Sequence, residues 1–123
     1  MAELIRMNVY LTVPEEKLGE FKSVAKDMTA RARAEDLGTL SYEWFETSEG
    51  ENTFQVLEVF ESSEALLTYF ERGGADPAGQ RFLEVCKVTK IELCGRPSDE
   101  VRKQLDALGM AIDYQLPLDG FTR

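Results

Sequence analysis

The sequence predicts an α+β domain: a four-stranded antiparallel sheet with helices on one face, its elements in the order β-α-β-β-α-β. Three observations carry the prediction. Apolar residues alternate in four stretches and recur every third or fourth position between them. Two of the alternating stretches are joined by a five-residue polar loop, as in a hairpin. The 123 residues, 43% of them hydrophobic, suffice for one core and not for two.

In residues 5–13, Ile5, Met7, Val9, Leu11 and Val13 share one face and Arg6, Asn8, Tyr10 and Thr12 the other, which is the pattern of a strand. Pro14, Glu15 and Glu16 then start a helix, because proline gives up no useful N–H there and acids suit the positive end of the dipole. Leu18, Phe21, Val24, Ala25, Met28 and Ala32 form its apolar stripe, with Asp27 and Arg31 an i,i+4 pair on the wet side. Gly38 ends the helix or its following loop. The hairpin strands are 39–47 and 53–61, joined through Ser48, Glu49, Gly50, Glu51 and Asn52. Leu57 and Val59 are placed toward the helices, Phe54, Val56, Glu58 and Phe60 away from them; in the first hairpin strand, Tyr42 and Trp44 oppose Phe45. Ser62 or Ser63 caps a helix carrying Ala65, Leu66, Tyr69 and Phe70, expected to break at Gly73 and Gly74. A short apolar segment, 82–86, leads to the fourth strand, 87–94, and Gly95-Arg96-Pro97-Ser98 opens one more helix with Val101, Leu105 and Leu108, stopped by Gly109. Residues 1–95 thus form a ferredoxin-like domain, and 96–123 a helical extension and tail that pack on it or on a partner subunit.

Composition narrows the function. The net charge of −9 repels nucleic acid and anionic membranes. With no histidine, His-based acid–base relays, haem ligation and His-containing zinc sites are excluded, and Cys86 and Cys94, eight apart, match no metal spacing. They read as small buried hydrophobes in a reducing compartment, and the absence of an apolar run or leader places the chain in the cytoplasm. An apolar sheet face left bare by the helices calls for a cover, most simply a second copy in a homodimer with a cavity between sheets.

The segments VPEEKLGEF, DLGTLSYEWFETSEGENTF and FQVLEVFESSEALLTYF follow one another here, and from Ile5 to about Leu93 the chain resembles the antibiotic biosynthesis monooxygenase family of small dimeric α+β-barrel proteins. The resemblance implies oxygenation of electron-rich aromatics such as quinols or anthrones by molecular oxygen, with no flavin, haem, metal or other cofactor. Tyr69 stands where the family commonly has a histidine. Asn8 resembles the asparagine of a haem-degrading branch, but no histidine is present to hold iron.

Candidate catalytic residues are Asn8, Trp44, Glu58 and Tyr69, with Tyr10, Tyr42, Phe54, Val56 and Phe60 lining the substrate site on the bare sheet face. Asn8 donates to a substrate oxygen or bonds to backbone; Trp44 walls an aromatic ligand or fills a core. Glu58, amid apolar neighbours, is a general base of raised pKa or a salt-bridge partner of Arg6 or Lys90. Tyr69 handles a proton or packs. The leading function is a cofactor-independent monooxygenase on a quinol-like or polyketide-like aromatic; an isomerase or cyclase on the same scaffold, and a non-catalytic small-molecule-binding protein, are the alternatives.

Overall fold

A computed structural model describes residues 3–123, so the first two positions of the expected 1–95 domain lie outside the described residues. The chain forms β1 (Ile5–Thr12), a 3₁₀ turn (Glu15–Lys17), α1 (Leu18–Glu35), β2 (Thr39–Ser48), β3 (Thr53–Phe60), α2 (Ser63–Ala75), α3 (Pro77–Val85), β4 (Lys87–Cys94), α4 (Asp99–Asp106) and β5 (Ile112–Gln115). The sheet order is β2-β3-β1-β4-β5, antiparallel except for β5, which runs parallel to β4. The α+β ferredoxin-like arrangement stands as the sequence predicts it, with a fifth strand added from the extension.

Two local features depart from the expectation. Helix α2 continues through Gly73 and Gly74 and ends only at Asp76. The segment before β4 is a full helix: Asp76 caps α3 by accepting a hydrogen bond from the Ala78 amide (3.1 Å), with Pro77 at the first helical position. Of the two candidate serines, Ser62 caps α2, accepting from the Ala65 amide at 3.1 Å, while Ser63 accepts from the Ser98 amide at 2.9 Å and ties the start of α4 to α2.

The register decides which sheet face lies under the helices, and it reverses the expected orientation. Met7 pairs with Glu58, Val9 with Val56 and Leu11 with Phe54; across the hairpin, Glu58 pairs with Tyr42 and Val56 with Trp44. Directly paired residues share a face, so Phe54, Val56, Glu58 and Phe60 join the buried stripe of β1 beneath α1, α2 and α3. Leu57 and Val59 are the half-buried side chains on the open face, beside Arg6, Asn8 and Tyr10. The grouping of aromatic and acidic residues is as predicted; the side of the sheet is the opposite one.

Candidate active site

Between the sheet and its helices lies a cavity of about 460 Å³. Its floor includes Met7 and Val9 of β1, Val56 of β3 and Ile91 of β4, and its helical walls include Met28, Phe70, Phe82 and Leu105. A volume in this range suits a small organic ligand, and the lining is largely apolar with a few polar groups. Glu58, Tyr42, Tyr69 and Trp44 all reach it.

Glu58 is 2% exposed. Its carboxyl is pushed up to about 8 because burial penalises the charged form, while the neighbouring Tyr69 hydroxyl pulls the other way. The salt bridge to Arg6 or Lys90 is not made, because those side chains lie on the opposite sheet face. Glu58 Oε1 accepts no hydrogen bond from any described group, an energetically costly state for a buried acceptor. Tyr69 descends from α2 and stands 3.0 Å, hydroxyl to hydroxyl, from Tyr42. Burial first, and then the neighbouring Glu58, holds both phenols in the neutral form well above the ordinary tyrosine value. The three side chains stand together at one apolar space.

Trp44 is a wall. Its ring sits at 5.9 Å from Tyr42, 5.7 Å from Phe21 and 6.0 Å from Phe82 in edge-to-face contacts, while its indole N–H is spent on Thr29 Oγ1 at 3.0 Å. Phe54 and Phe60 are core residues on the same face, and Phe60 packs on Tyr69 at 5.5 Å.

Asn8 and Tyr10 are not part of this assembly. They lie on the open face with Glu92, whose Oε1 accepts from the Tyr10 hydroxyl (2.8 Å) and from Asn8 Nδ2 (3.5 Å). The Tyr10 bond, with smaller help from Lys90 and Asn8, holds Glu92 below its ordinary value and charged. Cys86 and Cys94 are free and half-buried, and burial pushes the Cys86 thiol up to about 12, so it supplies no thiolate nucleophile near neutral pH.

One residue overlooked in the sequence is Arg31. Instead of pairing with Asp27 in water, it lies 11% exposed with Nε 2.7 Å from Asp76 and Nη1 3.6 Å from Asp36, and its guanidinium sits over the Tyr69 ring at 5.6 Å. Asp27 bonds to Arg81 at 3.3 Å instead. The capping Asp76, which anchors Arg31, was the available sequence signal. The apolar positions Met28, Phe82 and Leu105 gave none, since a cavity wall and a core stripe have the same periodicity.

A family model described as antibiotic biosynthesis monooxygenase matches residues 4–75. The chain is 33% identical over 102 residues to the monooxygenase candidate YcnE of Bacillus subtilis (strain 168), covering 83% of this chain and 98% of YcnE. Among solved structures, MupZ from Pseudomonas fluorescens is similar with a TM-score of 0.77 at 16% identity, over 100% of this chain and 96% of its own. SnoaB, a cofactor-independent oxygenase from Streptomyces nogalater, is similar with a TM-score of 0.62 at 18% identity, over 76% of this chain and 91% of its own. Both of these likenesses are of fold. The matched segment runs from β1 to the end of α2 and so contains Glu58, Tyr42 and Tyr69; with a third of its residues shared along nearly the whole of YcnE, the chain belongs to the antibiotic biosynthesis monooxygenase family.

Proposed function

We propose that this protein is a cofactor-independent monooxygenase acting on a quinol-like or polyketide-like aromatic. The observation that carries the reading is Glu58 Oε1, a buried acceptor with no hydrogen-bond donor among the described residues, on an apolar cavity large enough for a fused-ring phenol. A substrate hydroxyl supplies the missing donor. In its ionised form Glu58 removes that proton, and the resulting anion is an electron-rich donor to oxygen. The oxygen ends in a new carbonyl and in water: a CH₂ beside the activated ring and O₂ give C=O and H₂O, with no external reductant. Tyr69 and Tyr42, neutral and hydrogen-bonded, stabilise the developing oxyanion, and the apolar walls hold the ring. Membership of the family and the fold shared with SnoaB support the assignment.

Oxygen-electrode assays against a panel of quinols and anthrones test it. Uptake above the uncatalysed rate, reduced about 10²-fold or more in Glu58→Gln, is the expected result. Uptake equal to autoxidation overturns it. A second reading, an isomerase or cyclase, is favoured by the same carboxyl, since a group at about 8 is mostly protonated at pH 7 and able to donate. Turnover without oxygen selects it, and so does the pH profile: kcat/KM rising through about 8 marks a base, falling through about 8 an acid. Ligand binding without turnover in either atmosphere leaves a binding protein.

The same reading includes a homodimer in the cytoplasm. Leu57 and Val59 on the open face, with Phe45 at 42% exposure, support a second copy packed sheet to sheet. Two free cysteines fit a reducing compartment.

A further inference from the structure

We propose that the turn between α4 and β5, together with Leu83 of α3, forms an outer subsite that selects substrates by the length of an apolar substituent. The inference rests on the reading that a substrate hydroxyl meets Glu58, and it adds what the far end of the molecule must be. Leu83 and Leu108 both line the cavity and yet are 72% and 59% exposed, so they stand at its opening. Met110 lines the same space and is half-buried. None of the three belongs to the segment that matches the family model, which ends at residue 75.

The turn is held at both ends and is therefore a fixed wall. Val101 and Leu105 bury α4 in the core, and β5 is laddered to β4 with Ile112 opposite Ile91, itself a cavity residue. Helix α4 ends at Asp106 with Ala107 as its cap, short of the expected stop at Gly109; in the turn that follows, Gly109 takes φ +80, a left-handed conformation, and Met110 returns to the cavity. The α2–α3 junction contributes backbone without bulk: Gly73, Gly74 and Gly79 line the cavity. Their closeness is fixed, because a Cβ on Gly79 would overlap the Gly73 carbonyl oxygen. The cavity thus offers Glu58, Tyr42 and Tyr69 as polar groups, whereas Leu83, Leu108 and Met110 are apolar, with Gln80 of α3 a further polar lining residue. The molecule that matches both is a phenol or enol with an alkyl or ring substituent of several carbons remote from its hydroxyl.

Calorimetric titration of the full chain with 4-ethylphenol and 4-hexylphenol tests this, with Trp44, the single tryptophan and a cavity residue, as a fluorescence reporter of site occupancy. Each buried methylene strengthens binding by up to about fourfold, so 4-hexylphenol is expected to bind the natural sequence at least about tenfold more tightly. In Leu83→Ser/Leu108→Ser that ratio falls to about threefold or less. Both positions are exposed, so the double variant keeps the core intact. A ratio near one in the natural sequence, or the same large ratio in the variant, overturns the outer subsite while leaving the Glu58 reading in place. If neither phenol binds or perturbs Trp44, the subsite falls together with the reading beneath it.

Discussion

Replacing Glu58 with glutamine keeps the shape of the side chain and removes its titration, which isolates the effect of burying an acid. In the folded chain the carboxyl holds its proton up to about 8, whereas in the unfolded chain it releases it near 4.5. Between those two pH values unfolding releases a proton, so rising pH favours unfolding. The dependence is about 1.4 kcal/mol for each pH unit, and across the window the natural chain loses up to about 5 kcal/mol of stability. Below 4.5 both states are protonated and above 8 both are ionised, so the loss begins and ends there. Asp36, also raised chiefly by burial, contributes in the same direction and is common to both proteins. The quantity to compare is therefore the difference between them. Urea denaturation at pH 5, 6, 7, 8 and 9 measures it: Glu58→Gln should gain steadily on the natural chain and be several kcal/mol more stable by pH 9. Parallel stability profiles would refute the claim that Glu58 is desolvated and unpaired.

Three further outcomes follow from the packing. Phe60→Ala removes a fully buried ring that supports Tyr69 and should cost about 3–5 kcal/mol by denaturation midpoint; a loss under about 1 kcal/mol contradicts the core assignment. Gly79→Ala would place a Cβ against the Gly73 carbonyl oxygen, forcing α3 away from α2, and should cost about 1–3 kcal/mol, whereas an unchanged midpoint contradicts the close approach. The tail carries Leu116, Leu118 and Phe121 at 62%, 99% and 81% exposure, and Thr122 accepts a hydrogen bond from Arg6 of the open face at 2.6 Å. We propose that it completes the homodimer: deleting residues 116–123 should weaken dimerisation at least tenfold by light scattering on dilution. An unaltered dimer would remove the tail from the interface.

Element order was legible because each stretch has one dominant period: two for Ile5 to Val13, three to four for Leu18 to Ala32. The orientation of β3 was not. Phe54, Val56 and Phe60 alternate with Leu57 and Val59, so period two separates its faces without saying which is inside. The answer lies in pairing, Met7 against Glu58, and register is a long-range property absent from local pattern. For the same reason Glu58, Tyr42, Trp44 and Tyr69 come to line one cavity while Asn8 and Tyr10 lie on the other sheet face: β1 shows the helices its other side. Helix α3 was hidden by Gly79 in its short apolar pattern, although Asp76-Pro77 marks its start. Strand β5, four residues long, has too few alternations to stand out and is fixed by its ladder to β4.

The most direct measurement is the titration of the Glu58 side-chain carboxyl by carbon NMR, assigned through its loss in Glu58→Gln. A buried acid with no salt-bridge partner at this cavity should titrate near 8. A midpoint near the ordinary 4.5 would mean that the carboxyl is solvated or paired, and Glu58 would not be the proton-handling group of this site.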